Sequence, residues 1–157
     1  APGGYFLFSS FGPKTLMELR SSWAVIDDYK HVNDFSPMQH VADSIAQQGF
    51  VDVVVSNENI VVKYDSLRDI FADLVNTDIL NTTTLEKYQD AFTPEKLRRF
   101  CQEYYSMRSD DLSFPVTYEI IYGICWAPHK ANESEHLVSV NHLRNIMQRF
   151  KESVEVS

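Results

Sequence analysis

Gly3-Gly4-Tyr5-Phe6-Leu7-Phe8-Ser9-Ser10-Phe11-Gly12-Pro13-Lys14-Thr15, residues 3 to 15, opens with an unbroken apolar run held between two glycine-containing breaks. A run without alternation predicts a strand covered on both faces, hence a central strand, and Gly12-Pro13 predicts that it ends at a rim. Immediately downstream, Thr15 and Glu18 have the spacing of a reciprocal capping box, and Leu16, Leu19, Trp23 and Ile26 recur at helical spacing. Met17 and Arg20 fall away from that apolar stripe.

Working outward, the period changes several times. Ser36-Pro37 with Gln39 predicts a second helix start, Met38, Val41, Ala42 and Ile45 share a face, and Gly49 is a stop signal. From Val51 to Val62 β-branched residues dominate around Asn57-Glu58-Asn59, which predicts one bulged strand or two short ones. Ser66 caps a third helix carrying Leu67, Ile70, Phe71 and Leu74, and Thr93-Pro94 starts a fourth carrying Leu97, Phe100, Cys101 and Tyr104. Val116 to Trp126 places Tyr118, Ile120, Tyr122 and Ile124 at period two, a central strand expected to lie beside the opening one. The expectation is a three-layer α/β fragment with a short sheet (residues 4–10, 51–64 and 117–126) and helices near 15–26, 37–48, 66–75 and 94–106. Residues 1–128 form its body; 129–157 read as a polar linker and an amphipathic helix at 139–151 carrying Val140, Leu143, Met147 and Phe150.

Composition narrows the function classes. The chain has 157 residues, 44% hydrophobic, enough to bury one sizeable core. Its net charge of -8 and the absence of any long Lys/Arg run argue against a nucleic-acid surface. No apolar stretch reaches the roughly 18 to 20 residues of a membrane span. Two cysteines, Cys101 and Cys125, are too few and too far apart for a disulfide framework, so a reducing, cytoplasmic setting is expected. The five histidines and two cysteines show no metal-ligand spacing, and no serine lies in Gly-x-Ser-x-Gly.

The densest candidate ligand surface is Phe11-Gly12-Pro13-Lys14-Thr15 with Arg20, followed by Asp28-Tyr29-Lys30-His31-Val32-Asn33-Asp34-Phe35. A strand-end turn, anion-binding donors and aromatic walls are what a loop-built pocket for a carboxylate or polar acyl group requires. Plainer roles stand beside each residue: Lys14 and Arg20 as solvated helix-terminal charges, Trp23 as core, His31 as a structural hydrogen-bonding group and Asn33 as a brace for its turn. Tyr118 and Tyr122 share a strand face, where their hydroxyls either orient a ligand or, if buried, each take a structural hydrogen-bond partner. Arg98-Arg99 is either a local attraction for an acidic protein or a solvated helix face.

Residues 2–20, together with Trp23, Val25-Ile26-Asp27, His31-Val32-Asn33-Asp34-Phe35-Ser36-Pro37-Met38, Gly49-Phe50 and Pro115-Val116-Thr117-Tyr118-Glu119-Ile120-Ile121-Tyr122-Gly123, resemble in order and spacing the carboxyl-terminal half of the malonyl-acyl-carrier-protein O-methyltransferases of biotin synthesis. The resemblance covers about residues 2 to 128. It implies part of a class I, Rossmann-like methyltransferase fold, its opening and final strands adjacent and its last strand antiparallel. It also implies methyl transfer from S-adenosylmethionine to the free malonyl carboxylate on an acyl carrier protein, masking that charge for elongation toward pimeloyl.

Within the matched blocks, the resemblance makes Arg20, His31, Asn33 and Tyr118 the substrate-side candidates, with Arg98 and Arg99 as candidate contacts for the carrier protein. The glycine-rich turn and ribose-binding acidic residue of the family precede the matched region, so no cofactor-binding residue is assigned here and none is expected for the isolated chain. The missing strands imply an exposed apolar sheet edge, covered by an amino-terminal half or by self-association. A noncatalytic interaction module derived from a methyltransferase is the alternative from a different class.

Overall fold

A computed structural model describes residues 2–75, 77 and 90–128. The expected helix at 139–151 and the polar connection at 81–84 lie outside the described residues. Among the described residues, seven elements follow in chain order: β1 (Tyr5–Phe11), α1 (Met17–Ala24), α2 (Met38–Gln47), β2 (Val51–Tyr64), α3 (Leu67–Val75), α4 (Pro94–Tyr105) and β3 (Phe114–Trp126). The sheet order is β1-β3-β2, and β3 is antiparallel to both neighbours, so β1 and β2 run in the same direction. This is a partial α/β fold: a three-stranded sheet flanked by helices, with the last strand reversed. β2 is one strand with a register shift between Val51 and Val54, where Asp52 takes a positive φ of 51°.

Register places the strands precisely enough to locate a rim. Phe11 pairs with Ile120 and Tyr64 with Phe114, so the carboxyl ends of β1 and β2 and the amino end of β3 meet at one edge. The core gathers under that edge. Leu16, Leu19 and Trp23 from the α1 region, Ile70 and Leu74 from α3, Phe100 and Tyr104 from α4, and Phe114 and Val116 from β3 form one buried cluster. Each such aliphatic or phenyl side chain contributes about 1.5–3 kcal/mol by leaving water. Tyr104 is fully buried, but its hydroxyl donates to the Pro115 carbonyl at 2.7 Å, and burial pushes its phenol far above the usual range.

Three local expectations are corrected. Thr15 and Glu18 do not form a capping box: α1 starts after Leu16, which has a left-handed φ of 55° and no side-chain cap. Both side chains turn to β3 instead. Thr15 Oγ1 bonds the Glu119 backbone, and the Glu18 carboxylate takes the Thr117 N–H at 3.0 Å and the Thr117 hydroxyl. Ser36 does not cap α2, whose cap position is Pro37 without a side-chain bond. By contrast Ser66 Oγ accepts from Asp69 N–H, and Thr93 Oγ1 accepts from Lys96 N–H with Pro94 opening the helix.

The third correction concerns β1. It is an edge strand of the described sheet, with Tyr5, Phe6 and Leu7 exposed by 68%, 47% and 42%. Its apolar sequence predicts a strand flanked on both edges, while no described strand pairs with it on the side away from β3. The exposed apolar edge expected from the resemblance is therefore present. Inward, Phe8 lies over Gly123, where a Cβ would come within 2.1 Å of its ring, so only glycine lets the two strands close at that point.

Candidate functional site

The rim at the carboxyl end of β1 carries two segments, the turn 12–16 and the loop 27–35, and α1 lies between them in sequence. Ligand sites of α/β sheets form outside the carboxyl ends of strands, so this is where a site belongs by topology. Arg20 ties the two segments together. Its Nη1 donates to the Pro13 carbonyl at 2.8 Å, and its Nη2 donates to the carbonyls of Thr15 and Asn33 at 3.2 Å each. Three of the five N–H groups of a guanidinium are thereby used on backbone oxygens. Nε is buried without a hydrogen-bond partner. The solvated-charge reading of Arg20 is overturned: it is a half-buried staple with donor capacity left over.

His31 is 4% exposed and sits inside an aromatic box. Its ring stacks on Trp23 with centroids 3.8 Å apart and meets the edge of Phe92 at 4.9 Å. Nε2 bonds Asp27 Oδ1 at 2.8 Å, and Nδ1 is buried with no hydrogen-bond partner. Asp27 also accepts from the Tyr29 N–H, and its second oxygen faces Lys96 Nζ at 2.9 Å. Burial pushes the Asp27 carboxyl up, but hydrogen bonds from Lys96, His31 and the Tyr29 N–H, with the charge of His31, outweigh it and hold the group below its ordinary value. Lys96 also lies 4.7 Å from the centre of the Tyr29 ring, and Tyr29 Oη donates to Asp90 at 3.0 Å, which pushes that phenol up. The loop is thus held to α4 through Lys96 and to the residues before α4 through Asp90 and Phe92.

This network has a pH signature. A carboxyl held low in the folded state stabilises above the ordinary carboxylate pKa, and that contribution is lost as pH falls through the folded value. Asp27→Asn is expected to lower stability at neutral pH and to flatten the acid limb below about pH 4. Thermal unfolding followed from about pH 7 to about pH 3 checks it; an unchanged acid limb removes the assignment.

A surface cleft of about 230 Å³ opens between α1 and the loop, with Arg20, Trp23, Asp28, Tyr29, His31 and Asp34 in its wall. Arg20 and Asn33 are bonded directly, and His31 shares the cleft with Arg20. Tyr118 stands on the neighbouring side of the rim: its ring is 6.2 Å from Phe11, which in turn is 5.6 Å from Phe35. Burial pushes its hydroxyl pKa up. Arg98 and Arg99 are elsewhere, exposed on α4, where Arg99 Nη2 donates to the Val25 carbonyl at 3.3 Å. Asp27, Lys96, Glu119 and Asn57 were not among the candidates read from sequence. Asp27 and His31 lie four positions apart in a loop, where the helical spacing rule gives no signal, whereas Glu119 is the lone acidic residue inside the apolar run Val116–Trp126.

The one glycine at the β1 rim, Gly12, is covered by Glu119, whose Cδ lies 2.5 Å from where a Cβ would be, so that space is filled by protein. Among the described residues no His, Cys, Asp and Glu cluster suited to a metal ion occurs, and no helix is long and apolar enough to cross a membrane.

Comparison with known proteins adds the decisive observation. The chain is 33% identical over 126 residues to the malonyl-[acyl-carrier protein] O-methyltransferase of Nitrosospira multiformis, a match spanning 80% of this chain and 40% of that protein. Enzymes of the same description match at 32% over 139 residues in Halorhodospira halophila (85% of this chain, 47% of that protein) and 34% over 122 residues in Coxiella burnetii (78% and 42%). The chain is homologous to part of the malonyl-[acyl-carrier protein] O-methyltransferases. It spans less than half the length of these three relatives. No protein-family model matches it. With that homology, the reversed last strand beside the opening strand matches part of a Rossmann-like methyltransferase core.

Proposed function

We propose that this chain is the carboxyl-terminal portion of an S-adenosylmethionine-dependent methyltransferase that esterifies the malonyl carboxylate on an acyl carrier protein, the charge-masking step toward pimeloyl in biotin synthesis. The single observation that carries the reading is 32–34% identity to enzymes of that description across about four fifths of the chain. S-adenosylmethionine supplies an electrophilic methyl group on a sulfonium, and the residues that hold it lie outside this sequence.

The demand on this portion is modest. A malonyl carboxylate is already ionised at neutral pH and is itself the nucleophile, so no strong base is required; the oxygen has to be aimed and water kept away. Arg20 supplies the aim. One N–H of Nη1 is uncommitted at the rim, and because three others are fixed on carbonyls and Nε is buried the guanidinium is pre-oriented before substrate arrives. A grip through one N–H rather than a bidentate pair also leaves electron density on the attacking oxygen. His31 and Asn33 shape the same loop, Tyr118 with Phe11 and Phe35 forms the aromatic side of the acyl path, and Arg98 with Arg99 offers positive charge to the acidic carrier protein.

The test uses the full-length protein with malonyl- and acetyl-carrier proteins, read by mass spectrometry of the product. Malonyl-carrier protein is expected to gain one methyl and the acetyl form, which lacks the carboxylate, to gain none. Arg20→Met should lower kcat/KM about 100-fold. Equal methylation of both carrier proteins, or none of the malonyl form, would contradict the reading.

A further inference from the structure

The turn that carries Arg20's anchors is itself hung from a single acidic side chain of β3. Glu119 is 4% exposed. Its Oε2 accepts from the Lys14 N–H at 2.8 Å and its Oε1 from Asn57 Nδ2 at 2.5 Å. Its own carbonyl accepts from the Gly12 N–H at 2.7 Å, and its N–H donates to Thr15 Oγ1 at 3.1 Å. Among the described residues no Lys, Arg or His forms an ion pair with it. A buried carboxylate without a counter-ion is costly unless donors surround it, and here the donors are a backbone N–H of the turn and one side-chain amide of β2. Burying a charge for core packing alone would be a poor arrangement; an apolar residue at 119 would serve β3 better.

What the carboxylate holds is an unfavourable backbone. Leu16 sits at φ 55°, ψ 34°, a left-handed conformation that a branched apolar residue adopts only when its surroundings enforce it. Glu119 pins one end of that turn at Lys14, and Glu18 with the Thr117 backbone pins the other. The result is that the Pro13 and Thr15 carbonyls face the same way, toward the Arg20 guanidinium. Gly12 completes the arrangement by leaving room for the carboxyl.

We propose that Glu119, seated against Asn57, is a positioning residue for Arg20: it fixes the Gly12–Leu16 turn whose carbonyls aim the guanidinium at the substrate carboxylate. The inference rests on the methyl-transfer reading for its chemistry and on the hydrogen-bond chain Asn57, Glu119, Lys14, Pro13/Thr15, Arg20 for its geometry.

Exchanging the two polar groups tests it in the full-length protein. Asn57→Asp sets a second carboxylate against Glu119 and is expected to raise the KM for malonyl-carrier protein about 10-fold or more, leaving the KM for S-adenosylmethionine unchanged. Adding Glu119→Gln restores one donor and one acceptor across the pair. The amide then carried by β3 donates to the carboxylate then carried by β2, while the amide oxygen accepts from Lys14 N–H; the KM should return to within about threefold of the parent. Hydrogen exchange of the segment around Lys14 should quicken in the single variant and recover in the double. Asn57→Ala, which only removes a donor, should raise the same KM and quicken the same exchange by less, and serves as the single variant if Asn57→Asp does not fold. Unchanged kinetics and exchange in the single variants, or a double variant that fails to recover, overturns the proposal. A parent protein that leaves malonyl-carrier protein unmethylated overturns the functional reading instead, and the exchange arm then still decides whether Glu119 holds the turn.

Discussion

Trp23→Ala is expected to cost the fold about 3–5 kcal/mol, the range for emptying a large aromatic site in a packed core. The residue is 3% exposed and joins three neighbours at once: it stacks on His31 at 3.8 Å and on Phe100 at 4.7 Å and takes the edge of Phe92 at 5.3 Å. Removing it leaves a cavity under α4 and strips the cover from His31, whose Nε2 bond to Asp27 then faces water. The damage therefore reaches the loop 27–35 as well as the core. Against a typical domain stability of about 5–15 kcal/mol the loss is a large fraction of the total. Trp23→Phe keeps the stack on one side and should cost about 1–2 kcal/mol. Urea unfolding of the two variants beside the parent measures both losses. A Trp23→Ala loss below about 1 kcal/mol would show that Trp23 is not the junction between core and loop that its contacts indicate.

β2, α3, α4 and β3 were legible because their hydrophobic period switches between two and about 3.6, and because Ser66 and Thr93-Pro94 are local starts that need nothing from elsewhere. Thr15 and Glu18 looked equally local, yet their partners are Glu119 and Thr117, about a hundred positions away. Capping motifs report which groups are available, and tertiary hydrogen bonds decide where they go. The apolar run of β1 led to the expectation of a central strand, whereas among the described residues β1 is an edge strand with Tyr5, Phe6 and Leu7 exposed, because an apolar run reports a need for cover and not which elements supply it.

The candidate site shows the same division. The blocks around Arg20 and His31-Val32-Asn33 pointed to one surface, and the structure joins Arg20 to the Asn33 carbonyl. That Arg20 spends most of its donors on backbone oxygens was not legible, because the acceptors are carbonyls and have no residue identity. Glu119 was hidden for the opposite reason: its identity stood out inside an apolar strand, but its partners, a backbone N–H and an asparagine of another strand, did not.

The isolated chain is expected neither to bind S-adenosylmethionine tightly nor to methylate malonyl-carrier protein. The chain spans 40–47% of the length of the three relatives compared, its rim glycine is covered by Glu119, and β1 leaves Tyr5, Phe6 and Leu7 exposed at the sheet edge. Recognition of S-adenosylmethionine requires simultaneous contacts to adenine, ribose and the sulfonium-bearing amino acid, and the proposed account puts those contacts in the remainder of the protein. Two copies of this chain would cover each other's apolar edges but would duplicate the same elements, so self-association should not create activity.

The most direct measurement is a methyl-transfer assay with malonyl-carrier protein, paired with calorimetric titration of S-adenosylmethionine, on this chain alone and then with the separately produced remainder of the protein, itself shown to fold. The account predicts no turnover and no micromolar binding by the chain alone, and methylation once both portions are present. Micromolar binding or sustained turnover by the chain alone would contradict it, as would a folded mixture that stays inactive, which would favour a noncatalytic interaction module.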